Sequence, residues 1–124
     1  MLVHSTFATD LLEPQEAAWL YGILDIAPEN MSPAYFEETF NLSGFHVCSR
    51  EEIGSEWLEY TEEQQGCSSK ELLHIARMRQ RRADLVAEFG QLTCDVIMAV
   101  HHWHVYLLLG KLSSTIYTLR KGTR

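Results

Sequence analysis

Two histidines one helical turn apart are the first side chains in the sequence that could do chemistry. In the stretch HHWH, His101 and His104 are three residues apart, so in a helix their rings could share a metal ion with Cys94 or Asp95 two turns earlier. The chain has neither an HExxH motif nor a CxxC pair to complete a four-ligand set. We therefore predict no metal site and expect both histidines to lie on a packed or pocket-lining helix.

Three other groups of polar residues could catalyse a reaction or bind an anion. His46 and Cys48 share one face of a predicted strand, but no orienting carboxylate or oxyanion donor is indicated beside them. The glutamates at 51–52 and 56–59 could form a glycosidase pair, although the solvated start of a helix also explains them. The four arginines between 77 and 82 could form an anion site or a solvated face. We predict no catalytic residue.

Aromatic residues with a polar atom form three pairs, and each pair lies in a predicted helix. A tryptophan is followed by a tyrosine two or three positions later, a combination that suits the walls of a ligand pocket as well as a protein core. Together with the two histidines they are the predicted pocket residues: Trp19, Tyr21, Trp57, Tyr60, His101, Trp103, His104 and Tyr106. We expect a pocket of this kind to bind an apolar or aromatic small molecule.

Length and composition indicate a single domain that spans residues 1–124. The chain is 46% hydrophobic and long enough to bury a core without disulfides. Its three cysteines, Cys48, Cys67 and Cys94, are far apart, which favours reduced thiols. No apolar run is long enough to cross a bilayer, and the N-terminus lacks the pattern of a signal peptide. We expect a cytoplasmic protein outside the membrane.

Charge is distributed unevenly along the chain. The net charge of −7 argues against nucleic-acid binding, which needs clustered cations. Residues 1–63 contain thirteen acidic residues and one arginine, whereas residues 64–124 contain nine basic and four acidic residues. The two halves could attract a partner or a second copy of the chain, or they could neutralise each other within the fold.

Hydrophobic periodicity and turn residues predict the order strand, two helices, strand, three helices, strand. The strands are predicted at residues 2–9, 45–53 and 112–120; the helices begin near Pro14 and Pro33 and then span 56–65, 70–89 and 91–109. Ser68 and Glu71 match a capping box at the start of the fourth helix. The sequence predicts an α+β fold in which about five helices cover a small three-stranded mixed sheet.

Three segments, taken in order, resemble the C-terminal half of a class I S-adenosylmethionine-dependent methyltransferase of the small-molecule type. They are TFATDLLEPQEAAWLYG, GFHVCSREEIGSEWLEY and WHVYLLLGKLSSTIYTLR, and the resemblance spans essentially the whole chain. It implies that the three strands are the fifth, sixth and reversed seventh of that fold, with the helices as an acceptor-binding cover. The sequence has no GxG turn for the cofactor. We therefore expect no cofactor and no methyl transfer by this chain alone.

The same resemblance implies a sheet order in which the last strand is central and antiparallel to the other two. The strand at 2–9 would then have a free outer edge, since no fourth strand of the family is present. Such an edge could pair with a second copy in a homodimer, or the chain could be completed by a separate cofactor-binding chain. Two functions follow: a methyltransferase-like partial domain that binds a small molecule, or a non-catalytic binding or assembly module.

The stretch EEIGSEWLEY, residues 51–60, is predicted to form a corner between a strand and a helix. Gly54 permits the turn, and Ser55 caps the helix. We expect Trp57 to pack beneath the helices, where it could share a pocket with the tryptophans and tyrosines of the other pairs.

Overall fold

The computed structural model describes residues 1–122 and consists of three strands, six α-helices and one 3₁₀ helix within that range. The elements in chain order are β1 (Leu2–Ala8), α1 (Pro14–Leu24), the 3₁₀ helix (Pro28–Met31), α2 (Pro33–Leu42), β2 (Phe45–Ile53), α3 (Glu56–Gln65), α4 (Cys67–Gln80), α5 (Arg82–Phe89), α6 (Gln91–Leu108) and β3 (Leu112–Lys121). The predicted α+β class is confirmed. Thr123 and Arg124, part of the predicted basic tail, lie outside the described residues.

The three strands form one sheet in the order β1-β3-β2, with both pairings antiparallel. Thr115 of β3 stands between Ser5 of β1 and Glu52 of β2 in this register. The predicted central position of the last strand is therefore confirmed. β1 and β2 are the two edges of the sheet.

An aromatic cluster fastens α2 to one face of the sheet. Phe7 of β1 and Tyr117 of β3 are buried, and Phe36 and Phe40 of α2 pack against them. The rings of Phe7 and Phe36 meet edge to face with centroids 5.4 Å apart, and those of Phe40 and Tyr117 do the same at 5.4 Å. Edge-to-face pairs add to the stabilisation from burial, so this cluster fixes α2 against the sheet.

The remaining helices form a second core at one end of the sheet. Leu20 of α1, Ala99 and Tyr106 of α6 and Leu112 of β3 are buried together with Met31 of the 3₁₀ helix. A smaller cluster, which includes Ile75, Met98 and Val105, joins α4 to α6. Helix α6 is therefore the centre of the helical half, in contact with α1, α4 and the sheet.

The predicted helix over residues 70–89 is wrong, because the structure divides it at Arg81. Arg81 leaves the helical conformation at φ −116° and ψ 23°, which ends α4 and starts α5. This change of direction turns α5 towards α6, where Arg82 donates a hydrogen bond of 2.8 Å to Asp95. Residues 56–108 therefore form four α-helices instead of three.

The capping box predicted from Ser68 and Glu71 is also absent. Gly66, in the left-handed conformation at φ 64°, precedes α4 instead. The carboxylate of Glu62 accepts hydrogen bonds from the backbone N–H groups of Ser68 at 2.6 Å and Ser69 at 3.1 Å. Glu62 thus caps α4 from the preceding helix, and Glu71 is free to contact α6.

Candidate functional site

The outer edge of β1 presents backbone groups that are not paired with another strand within residues 1–122. Met1 and Leu119 exchange backbone hydrogen bonds, and the N–H of Thr9 donates to the carbonyl of Lys111 at 3.0 Å. Both contacts join odd-numbered residues to β3, and hydrogen-bonded positions alternate along an antiparallel pair. The N–H and C=O groups of the even-numbered residues therefore point away from β3: Leu2, His4, Thr6 and Ala8.

A groove of about 420 Å³ runs beside this edge. Its floor on the strand side consists of residues 4–6, and its far wall comes from Ile26, Met31, Phe36 and Trp103. The 3₁₀ helix holds Met31 in place, since this side chain is buried in the helical core. An extended chain added to β1 would therefore find backbone partners at the edge and apolar walls for alternate side chains.

The outer edge of β2 is built differently. The strand ladder shifts at Cys48, as at a β-bulge, and the next positions carry charged side chains. Arg50 forms an ion pair with Glu37 of α2, while Glu51 and Glu52 are exposed. A bulge and charged side chains both oppose the addition of another strand.

A second concave region, of about 290 Å³, brings together α1 and α6. The ring of His102 packs edge to face against Trp19 at 4.8 Å and against Tyr106 at 5.8 Å. Gln15, Glu16 and Arg79 line the rest of the cleft. Two of the predicted pocket residues, Trp19 and Tyr106, therefore share this cleft.

Lys111 contacts two of the ionisable groups of this α1–α6 cleft, Glu16 and Tyr106. Its ammonium donates to Glu16 at 2.6 Å and lies 5.6 Å from the centre of the Tyr106 ring. The hydrogen bond from Lys111 lowers the pKa of Glu16 against the opposing effect of burial. Burial, assisted by the negative charge of Glu16, raises the pKa of Tyr106 to about 12. At neutral pH the cleft therefore contains a neutral phenol beside a closed ion pair.

Glu71 of α4 connects the two histidines that the sequence singled out. Its carboxylate contacts Nδ1 of His101 and lies 3.4 Å from Nδ1 of His104. The ring of His74 stacks on that of His101 with centroids 5.2 Å apart. Burial alone would raise the pKa of Glu71, but the hydrogen bond and charge of His101, with a smaller contribution from His104, lower it.

The possible metal ligands beside these histidines lie elsewhere. Asp95 is paired with Arg82, and Cys94 is buried against other apolar side chains. Within residues 1–122, no group of three or more His, Cys, Asp or Glu side chains is placed to hold a metal ion. Glu71, His74, His101 and His104 therefore form a polar contact between α4 and α6.

The other predicted pocket residues are spread over the molecule. Tyr21 is half-buried against the helical core, and Trp103 lines the groove beside β1. Trp57 lines a cleft at the end of β2, apart from Trp19 and Tyr106. Its side chain is 56% exposed and that of Tyr60 is 64% exposed, so the expected burial of Trp57 beneath the helices is wrong.

Three contributors to these sites were not identified from the sequence. His102 could have been found, because it is four residues from Tyr106 and therefore on the same helical face. Glu71 and Lys111 carry no such signal, since their partners are 30 and 95 residues away in the chain.

Comparisons with known proteins do not assign the chain to a family. No protein family model matches the sequence, and no curated protein matches it. The resemblance to methyltransferases therefore stays a prediction. None of the helices within residues 1–122 combines the length and apolar character needed to span a membrane.

Proposed function

We propose that this chain is a non-catalytic, cytoplasmic assembly module that forms a homodimer through the outer edge of β1. The observation that carries the proposal is the contrast within the sheet: the β1 edge is unpaired, uncharged and bordered by an apolar groove, while the β2 edge is bulged and charged. Natural proteins protect an edge that must stay single, and β1 has no bulge, proline or charged side chain to do so.

The outward positions of β1 are self-complementary. In an antiparallel pairing of two copies about a two-fold axis at Ser5, Leu2 faces Ala8 of the second copy and His4 faces Thr6. All outward N–H and C=O groups of the strand are then paired. The result is a continuous six-stranded sheet built from two three-stranded ones.

The groove beside the edge favours the same arrangement. In this register Val3, Ser5 and Phe7 of one copy lie on the same face as those of the second copy. Phe36 packs on Phe7 at this face, and Phe36 also lines the groove. Side chains from a second β1 strand would therefore extend an apolar surface that already exists, which adds buried apolar area to the backbone hydrogen bonds.

Sedimentation velocity of the wild type and of His4→Pro tests the proposal. The N–H of His4 points outward, so proline removes a donor needed by the second copy and leaves the hydrogen bonds to β3 in place. At low protein concentration we expect a dimeric wild type and a monomeric variant. Val3→Pro is the matched control. The N–H of Val3 bonds to β3, so proline at this position removes a hydrogen bond within the sheet and should destabilise the fold. A monomeric wild type, or a His4→Pro protein that stays fully dimeric, contradicts the proposal.

A second candidate function is the binding of a small aromatic molecule in the cleft between α1 and α6. The favouring observation is the wall formed by Trp19, His102 and Tyr106, with Arg79 at its side. Titration with benzoate, followed by tryptophan fluorescence, tests this function with Trp19→Phe as the control. No saturable change, or an unchanged one in Trp19→Phe, contradicts it.

Titration calorimetry with S-adenosylmethionine tests the methyltransferase resemblance. We expect no binding tighter than about millimolar, because the sequence lacks a glycine-rich turn for the cofactor. Micromolar binding would contradict the proposed half-fold.

A further inference from the structure

An apolar groove lies on the outer surface of the helical half. It has a volume of about 220 Å³ and is lined by side chains of α4, α5 and α6: Met78, Leu85, Phe89, Thr93, Cys94 and Ile97. Phe89 is 55% exposed and Ile97 is 44% exposed. Leu92 and Val100, also on α6, are exposed as well. An exposed apolar surface of this kind commonly marks a binding interface.

Helix α3 presents a complementary projection. Trp57 and Tyr60 are three residues apart, so they lie on one side of the helix, and both are mostly exposed. Neither belongs to a hydrophobic cluster within residues 1–122. Tryptophan and tyrosine are the residues that most often supply the binding energy of an interface when they fill a pocket.

The charges around the two surfaces are opposite in sign. Residues 51–63, at the end of β2 and in α3, contain six glutamates and no basic residue. Residues 67–89, in α4 and α5, contain five basic and three acidic residues. Arg82 pairs with Asp95, whereas Arg77 of α4 and Arg81, between α4 and α5, are exposed and form no ion pair within the described residues. The acidic, aromatic helix α3 is therefore opposite in net charge to α4 and α5, two of the helices that line the groove.

We propose that α3 of one copy docks into the α4–α6 groove of a second copy, with Trp57 and Tyr60 as the anchors. The projection and the groove are different surfaces, so the contact is head-to-tail and does not require pairing of β1. It goes beyond the proposed dimer and joins dimers into larger assemblies. An acidic helix of another protein, or a small apolar molecule, would be the alternative occupant.

Sedimentation velocity in a His4→Pro background tests this contact without any contribution from β1. We expect the background protein to associate as its concentration is raised, and we expect Ile97→Glu in the groove to abolish that association. Leu42→Glu is the matched control, because Leu42 is 83% exposed and lies on α2, far from both surfaces in the chain. No association of the background protein, or equal loss in both glutamate variants, overturns the proposal.

Mixing two defective chains gives a sharper result. In the same background, one chain carries Ile97→Glu, and the other carries Trp57→Ser with Tyr60→Ser. Each should be monomeric alone, whereas the mixture retains one intact projection and one intact groove and should form a pair. Circular dichroism melting verifies that both chains are folded. A mixture that stays monomeric overturns the proposed docking of α3. This result is independent of whether the wild type dimerises through β1.

Discussion

β1 and β2 are both edge strands of one three-stranded sheet, yet their outer edges differ in shape, charge and cover. The ladder of β2 is interrupted at Cys48, and its middle carries Arg50, Glu51 and Glu52. β1 pairs with β3 in an unbroken register and has no charged side chain before Asp10. This difference supports the proposal that assembly takes place at the β1 edge, because the β2 edge is protected against the addition of a strand.

The two faces of β1 differ in burial. Phe7 is only 2% exposed and packs between Phe36 and Tyr117, whereas Leu2 is 72% exposed. The face that carries Phe7 therefore supports the fold, while the outward backbone groups of the even-numbered residues are not paired with another strand within residues 1–122.

The largest effect is expected from Phe7→Ala, which removes a buried ring from the aromatic cluster. Truncation of a buried phenylalanine costs about 3–5 kcal/mol, a large part of the stability of a small domain. Urea denaturation should show this loss of free energy of unfolding. If Phe7→Ala lowers the free energy of unfolding only as much as a substitution at an exposed position does, β1 does not anchor the core.

Removal of the charges that protect the outer edge of β2 should produce the next largest effect, on the oligomeric state. Replacement of Glu51 by Thr and of Glu52 by Val removes two negative charges and introduces β-branched residues into an edge strand. We expect species larger than those of the wild type in size-exclusion chromatography with light scattering. Unchanged oligomers would show that the charges do not protect this edge.

Alkaline pH should weaken the fold through two buried phenols. Burial, with the charge of Glu37, raises the pKa of Tyr117 to about 12, and that of Tyr106 is also raised to about 12. The ordinary value is 10.0, so unfolded tyrosines lose protons that the folded ones retain. The stability that these two phenols contribute is therefore fully present below pH 10 and is lost between pH 10 and about 12. Melting temperatures in this range, compared with those of Tyr106→Phe, measure the loss.

The smallest effect is expected from Trp57→Ala. Because this side chain is 56% exposed and lies outside the hydrophobic clusters, the free energy of unfolding should change by no more than about 0.5 kcal/mol. The same urea denaturation measures it. A loss of several kcal/mol would show that Trp57 belongs to the core after all.

The sequence predicted the elements better than it predicted their contacts. β-Branched residues and glycine or proline boundaries identified all three strands, and the resemblance placed β3 at the centre. The break at Arg81 was missed because the local sequence is compatible with one helix, and the contact of Arg82 with Asp95 of α6 joins residues 13 positions apart. Helical spacing alone could not show that Trp57 is exposed, since burial depends on which face meets another element.

Much of the candidate site depends on contacts between distant segments, which local sequence patterns do not indicate. The free edge of β1 was predicted, but which of its backbone groups point outward follows from the register with β3. The groove wall combines Trp103, a predicted pocket residue, with Met31 and Phe36 from segments more than sixty residues away. Contacts over such distances in the chain are set by packing of the whole domain.

Oxidative cross-linking of a Ser5→Cys variant is the decisive test of a homodimer paired through β1. In the proposed dimer the two copies of residue 5 face each other at a position without hydrogen bonds, where Cα atoms are about 4.5 Å apart, within the range that a disulfide needs. The experiment uses a background of Cys48→Ser and Cys67→Ser, which removes the two exposed thiols. Ser49→Cys, exposed on β2, is the matched variant at the other edge. We expect a disulfide-linked dimer from Ser5→Cys and little from Ser49→Cys, and equal cross-linking of the two variants would mean that β1 is not the interface.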